Sequence, residues 1–135
     1  MAEIIEWSDD YLIGLKEIDV QHKRLTEIVN KALNACNTFQ TQKQIVEAMD
    51  DVMAYTKWHF QSEDILMRIY EYPDSENHRS DHVLLIKELH NKTKEAIKTK
   101  PSPQDLYLFF VGWFGGHAFG SDRKLAHFMR LKFGE

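Results

Sequence analysis

The chain has 135 residues, a formal net charge of −4, a pI near 6.0 and a single cysteine. This length suits one domain that buries a core without disulfides, and the acidic balance argues against nucleic acid or an anionic membrane as a partner. No apolar run approaches the length of a membrane span, and the acidic N-terminus lacks the layout of a signal peptide. We therefore expect one cytoplasmic domain, residues 1–135.

Start signals divide the chain into an N-terminal arm, residues 1–17, and a helical region, residues 18–135. Asp19 is a candidate cap for the first helix, because an aspartate at this position can accept hydrogen bonds from unpaired amides. Thr41 followed by Gln44 is a capping-box pattern, which predicts the start of the second helix.

Proline residues mark the remaining boundaries. Pro73 ends the second helix, after which Asp74 or Ser75 can cap the third. Ser102 followed by Pro103 predicts the start of the fourth, because proline is favoured at the first helical position. A short amphipathic helix follows the fourth. Since no strand-like alternation occurs and the connections are short, we expect an all-α, up-down-up-down four-helix bundle with an N-terminal arm and a short C-terminal helix.

Seven histidine and carboxylate side chains could form one metal site, and six of them come as close pairs on three helical segments. Two pairs have a spacing of four residues, which puts both members on one helix face. The chain directions carry all four segments to the same end of the bundle, since about 17 residues of the first helix, about 25 Å, are retraced by the second. The candidate ligands are His22, His59, Glu63, His78, His82, His117 and Asp122.

The number and type of these side chains favour iron. Seven ligands are more than one tetrahedral ion can use, whereas five imidazoles and two carboxylates suit two iron ions bridged by the carboxylates. The chain contains no Glu-x-x-His pattern of the kind used by carboxylate-rich di-iron proteins. An imidazole-rich site stabilises ferrous iron and has no spare carboxylate to relay protons, so reversible O2 binding is favoured over oxidation.

His117 and Asp122 are five residues apart and cannot share a face of a regular helix. The helix must therefore distort or end between them. Gly115, Gly116 and Gly120 surround this stretch, and a glycine inside a helix costs about 1 kcal/mol relative to alanine. A bend that returns Asp122 to the site would explain these glycines; close approach of another backbone, or local looseness, would explain them equally well.

Together these motifs make the chain resemble the hemerythrin family in its bacterial single-domain form. Myohemerythrin is an up-down helical bundle, so the resemblance implies the same fold. It also implies that His78, His82 and His117 hold one iron and that His22 and His59 hold the other, with Glu63 and Asp122 and an oxo or hydroxo group as bridges and O2 as the ligand. The matching stretches are Trp7 to Gly14, Ile18 to Lys23, His59-Phe60-x-x-Glu63, His78-x-x-x-His82 and Trp113-x-x-x-His117-x-x-x-x-Asp122.

The fourth helix departs from the family pattern. Phe114 and Ala118 stand where the family commonly has leucine and isoleucine, so the shape of the oxygen pocket is expected to differ. Cys36 is interpreted as a buried structural thiol, and His90 and His127 are predicted not to be ligands.

The leading hypothesis is a non-enzymatic di-iron protein that binds O2 for storage, transport or scavenging. One alternative is a di-iron redox enzyme acting as an oxidase, as a peroxidase or on nitric oxide, which the smaller side chain of Ala118 motivates. Another is an oxygen or redox sensor that acts on a partner in trans through the arm, since no fused output domain is expected. Zinc is chemically able to occupy such a site, but a set of seven ligands with two bridging carboxylates argues against zinc as the working metal. We expect a monomer that binds neither nucleic acid nor membrane.

Overall fold

The computed structural model describes residues 4–38, 40–116 and 120–133, and this part of the chain contains helices and no strand. The prediction of an all-α fold is therefore confirmed. A short 3-10 helix, Asp9–Tyr11, precedes five α-helices. These are α1 (Lys16–Asn37), α2 (Gln42–Ile69), α3 (Ser75–Lys98), α4 (Pro103–Gly116) and α5 (Asp122–Phe133).

Contacts between opposite helix ends show how the bundle is arranged. At the start of α2, the Gln42 side chain donates to the carbonyl oxygens of Ala96 and Ile97 at the end of α3, both at 2.6 Å. At the end of α1, the buried Cys36 thiol donates to the Pro101 carbonyl just before α4 at 3.1 Å. Neighbouring helices therefore run in opposite directions, and α1 packs against both α2 and α4 while α2 packs against α3.

Two predicted helix starts are confirmed. The Thr41 hydroxyl accepts from the Gln44 amide, and the Gln44 side chain accepts from the Thr41 amide, which completes the capping box. Ahead of α4, the Ser102 hydroxyl accepts from the Asp105 amide at 3.1 Å, and Pro103 is the first helical residue. These caps bond amides that the helix itself leaves unpaired.

The prediction that Asp19 caps the first helix is wrong. Helix α1 begins at Lys16, its cap position is Leu15, and Asp19 lies inside its first turn. The Asp19 carboxylate instead accepts from the amides of Ile13 at 2.8 Å and Gly14 at 3.2 Å. The helix starts earlier than expected because this carboxylate bonds the segment in front of the helix, where Gly14 adopts a positive φ of 91°.

Apolar clusters lie on both sides of the candidate ligands. The larger cluster fills the bundle between α1, α2, α3 and α4 and includes Val29, Leu33, Met49, Leu89 and Phe110. A smaller cluster, with Met67, Tyr72, Leu125 and Met129, packs where α5 meets the end of α2. None of the described helices has a segment long and apolar enough to cross a bilayer.

Candidate metal centre

The first group of candidate ligands consists of His22 on α1 and His59 on α2. Both side chains are buried, and their ring centroids are 4.8 Å apart. Nε2 of His22 lies 2.6 Å from Oδ2 of Asp122. Nε2 of His59 lies 2.8 Å from Oε2 of Glu63 and 3.7 Å from Oδ2 of Asp122. The two imidazoles of this group thus face Oε2 of Glu63 and Oδ2 of Asp122.

The second group consists of His78 and His82, which are four residues apart on the buried face of α3. Nε2 of His78 lies 2.7 Å from Oε1 of Glu63 and 3.1 Å from Oδ1 of Asp122. Nε2 of His82 lies 2.8 Å from the same Glu63 oxygen. The His82 ring stacks on that of Phe60, with centroids 3.7 Å apart and planes within 4°.

Each carboxylate therefore divides its two oxygen atoms between the two histidine groups. Oε2 of Glu63 faces His59, whereas Oε1 faces His78 and His82. Oδ2 of Asp122 faces His22 and His59, whereas Oδ1 faces His78. This is the arrangement that a carboxylate adopts when it lies between two positive centres.

These side chains are suited to holding metal ions. Donor atoms about 2.1 Å from an ion lie about 3.0 Å apart at adjacent corners of an octahedron. The histidine-to-carboxylate distances of the site range from 2.6 to 3.7 Å. Two overlapping sets have all their donor atoms within 4.8 Å of one another: His22, His59, Glu63 and Asp122, and Glu63, His78, His82 and Asp122.

Of the seven sequence-predicted ligands, the structure brings six together, while His117 lies outside the described residues, as does Ala118. The regular helix α4 ends at Gly116, and Gly120 and Ser121 form a π-type turn before Asp122 begins α5. Within the described residues, the geometry of Gly120 and Ser121 is a departure from a regular α-helix directly before Asp122. His90 and His127 are exposed and belong to neither ligand set.

Steric crowding by the described residues does not account for the glycines at positions 112, 116 and 120. An added Cβ at Gly112, Gly116 or Gly120 would meet nothing within 4 Å outside its own helix backbone. Close approach of another backbone is therefore not the reason for glycine at these three positions.

The carboxylates control the protonation of the histidines in the metal-free protein. Burial alone lowers the pKa of His59, but the neighbouring carboxylates of Asp122 and Glu63 outweigh it and raise that pKa from 6.5 to about 9. The same opposing effects raise the pKa of His78 to about 9. Without a metal, protons thus balance the two buried negative charges, and a metal must displace them when it binds.

Sequence reasoning did not assign a role to Gln21, which orients His59. Nδ1 of His59 donates to Oε1 of Gln21 at 2.6 Å. A donor bond at Nδ1 leaves Nε2 of the same ring turned toward the carboxylates, as is usual for a histidine that binds metal. The available signal was the position of Gln21 directly before His22, within a stretch that already resembled the family.

Aromatic side chains enclose the site on the side of the arm. Phe114 is buried, and its ring centroid lies 6.1 Å from that of His22 and 6.4 Å from that of Tyr11 in the arm. A cavity of about 680 Å³ lies between the arm and α4, with Trp7, Tyr11 and Phe114 in its lining. The arm is held by Asn30, whose side chain bonds both the amide and the carbonyl of Ile5 at 2.8 and 2.7 Å.

Comparison with known proteins assigns the family. The model of the hemerythrin HHE cation-binding domain matches residues 13–128. The chain is 29% identical to the Bacteriohemerythrin of Stenotrophomonas maltophilia over 123 residues, 91% of this chain and 80% of the relative. It is 28% identical to the Bacteriohemerythrin of Clostridium acetobutylicum over 126 residues, 87% of this chain and 95% of the relative. A Hemerythrin-like protein of Naegleria gruberi is 27% identical over 119 residues, 87% of each chain. The chain therefore belongs to the hemerythrin family.

Proposed function

We propose that this protein holds two iron ions and binds O2 reversibly for storage, transport or scavenging, without acting as an enzyme. The observation that carries the proposal is the division of each carboxylate, Glu63 and Asp122, between two groups of buried histidines. Membership of the hemerythrin family supports a di-iron, oxygen-binding protein in general. We also propose that it acts as a monomer in the cytoplasm.

In this proposal His22 and His59 hold one iron, and His78, His82 and His117 hold the other. Glu63 and Asp122 would be shared between the two ions, each through its two carboxylate oxygens. When bound, the iron pair supplies the redox-active centre at which O2 coordinates. Oε2 of Glu63 lies 2.8 Å from Nε2 of His59, and Oε1 lies 2.7 Å from Nε2 of His78. This division of the two oxygen atoms supports the bridging role.

The protein's own residues then orient the ligands and exclude water. Gln21 holds the His59 ring through Nδ1, and Phe60 packs flat against His82. Phe60 lies against His82 and Phe114 lies beside His22, and both rings are buried, so these ligands have an apolar wall. An apolar wall suits a small neutral molecule such as O2.

The visible spectrum of the reduced, iron-loaded protein tests this proposal. The spectrum is recorded without oxygen, then in air, then after purging with nitrogen, and the iron content of the protein is measured. We expect about two iron ions per chain and a charge-transfer band that appears in air and fades on purging. A chain that binds no iron, or zinc alone, would contradict the proposal. Immediate and irreversible conversion to the ferric form would support a redox enzyme instead.

A sensor that acts on a partner in trans is the second candidate, and one contact favours it. Tyr11 of the arm packs edge-on against Phe114, whose ring in turn packs against that of His22. A change at His22 can therefore reach the arm through two aromatic contacts. Faster amide hydrogen exchange in residues 4–12 of the O2-bound form than of the reduced form would support this role, whereas identical exchange would exclude it.

A further inference from the structure

Three threonines are buried inside helices in the described part of the chain, and one of them differs from the other two. The Thr26 hydroxyl donates to the His22 carbonyl at 2.9 Å, and the Thr93 hydroxyl donates to the Leu89 carbonyl at 2.9 Å. Both bonds reach back four residues, which is the usual way for a helical threonine to satisfy its hydroxyl. The Thr56 hydroxyl makes no such bond and has no hydrogen-bond partner among the described residues.

This hydroxyl is unfavourable for folding as it stands. Thr56 is fully buried, and a buried hydroxyl without a partner loses its hydrogen bonds to water without replacing them. Valine has nearly the same shape and would avoid that loss. A threonine at this position is therefore explained best by a use of the hydroxyl in a state with a bound ligand.

The position of Thr56 puts it next to the candidate ligands. It lies on the inward face of α2, three residues before His59 and seven before Glu63, so it is about 4.5 Å along the helix axis from His59. Helices α2 and α4 run toward the site, whereas α1 runs away from it. Residues just before His59 on α2 therefore lie at the same level of the bundle as residues just after His22 on α1. The last turn of α4 lies at this level too.

The described residues at this level are apolar or have already used their donors. Leu25, which follows His22 by three residues, is buried, as are Trp113 and Phe114 in the last turns of α4. The Trp113 indole nitrogen donates to the Leu85 carbonyl at 2.9 Å, so this donor is already committed. Apart from candidate ligands, the buried polar side chains of the described chain are the three threonines. Thr56 thus carries an unused donor in this layer.

We propose that the Thr56 hydroxyl donates a hydrogen bond to a small ligand on the His22 and His59 side of the centre, where the proposed ligand set has one histidine fewer than on the other side. The inference rests on the proposed function and adds a specificity-determining residue to it. Its ligand class is a diatomic or triatomic acceptor that gains negative charge on binding, such as O2 or azide. Within an apolar layer, one donor stabilises that charge while the lining excludes larger polar molecules.

Azide binding to the iron-loaded, oxidised protein tests the inference, because azide is a small anionic acceptor. The variants are Thr56→Val, which removes the hydroxyl, Thr56→Ser, which keeps it, and Thr93→Val, which removes a buried hydroxyl about 16 Å along α3 from His82. Each is titrated at measured iron content. We expect azide affinity to fall roughly tenfold or more in Thr56→Val, the effect of one hydrogen bond to a charged group. Thr56→Ser should stay within about threefold of the parent, and Thr93→Val should not change it.

The azide stretching frequency supplies a readout that a packing defect does not imitate. A hydrogen bond to azide makes this frequency differ between H2O and D2O, so the difference should be present in the parent, Thr56→Ser and Thr93→Val and absent in Thr56→Val. Urea unfolding of the full chain without added metal gives a third readout. Its midpoint should rise or stay unchanged in Thr56→Val and fall in Thr93→Val, where a formed hydrogen bond is lost.

The outcomes separate this inference from the proposed function. A Thr56→Val protein that binds azide with the parent's affinity and keeps the isotope difference would overturn the role of Thr56 alone. A fall in the urea midpoint of Thr56→Val equal to that of Thr93→Val would also overturn it, since the hydroxyl would then be bonded in the metal-free protein. A parent protein that takes up no iron would overturn both proposals together.

Discussion

Replacing Asp122 by asparagine in the metal-free chain should flatten the pH dependence of the free energy of unfolding. In the parent, the carboxylates of Asp122 and Glu63 together raise the pKa of His59, and likewise that of His78. Both values rise to about 9, whereas an unfolded histidine titrates near 6.5. Between these two pH values the native state binds more protons than the unfolded state.

The sign and size of the effect follow from this difference. Stability from the two histidines is fully present below pH 6.5 and is lost as the pH rises through about 9. A pKa raised from 6.5 to about 9 corresponds to about 3 kcal/mol for one histidine. In Asp122→Asn only Glu63 remains to hold the protons, so the pH-dependent loss should be smaller than in the parent.

Urea unfolding followed by circular dichroism, with a chelator present, measures the free energy of unfolding from pH 6 to pH 10. Asp105→Asn is the matched control, because it removes an exposed carboxylate that pairs with Lys92 at 2.8 Å and lies outside the site. The control should keep the slope of the parent. A parent whose stability stays constant or increases between pH 6.5 and 9 would refute the claim that the two carboxylates hold protons on His59 and His78.

Three further predictions concern single contacts. Gln21→Met should weaken metal binding about 10- to 100-fold by releasing the His59 ring, as measured by competition with a coloured chelator. Asn30→Ala should destabilise the protein by about 1–3 kcal/mol and speed amide exchange at Ile5, because two hydrogen bonds hold the arm there. Phe110→Ala should lower the free energy of unfolding by about 3–5 kcal/mol, since this side chain is fully buried in the main core.

Each of these variants has a control at an exposed position, which for Gln21 and Asn30 is also of the same residue type. Gln104→Met should leave metal affinity unchanged, Asn91→Ala should leave exchange at the arm unchanged, and Leu108→Ala on the helix of Phe110 should cost little stability. Equal effects in a test variant and its control would show that the contact in question does not act as described.

Helix starts were predictable where a cap acts on its own helix. The bonds between Thr41 and Gln44, and between Ser102 and Asp105, join residues three apart, so local sequence contains both partners. Asp19 misled because its carboxylate bonds amides five and six residues earlier, in a segment whose path depends on the whole fold. Local sequence therefore does not distinguish a side chain that caps its own helix from one that bonds the segment before it.

Within the site, the helical period explains why the pairs could be recognised. His59 with Glu63, and His78 with His82, share a helix face wherever that helix is placed, and chain direction then brings the faces to one level. The role of Gln21 could not be inferred in this way, since its hydrogen bond to His59 crosses from α1 to α2 over 38 residues. The missing bond of Thr56 likewise depends on a side-chain rotamer that sequence does not report.

The amino-acid order thus specified the helices, the ligand types and the end of the bundle where they meet, because these depend on periodicity, caps and connection length. The packing of the helices decided which carboxylate oxygen faces which histidine and how the arm lies over Phe114. Oε1 and Oε2 of Glu63 are chemically equivalent in an isolated carboxylate. They become distinct only in the folded protein, where Oε2 faces His59 and Oε1 faces His78. Such distinctions arise from three-dimensional positions of residues far apart in the chain, set by how the core between the helices packs.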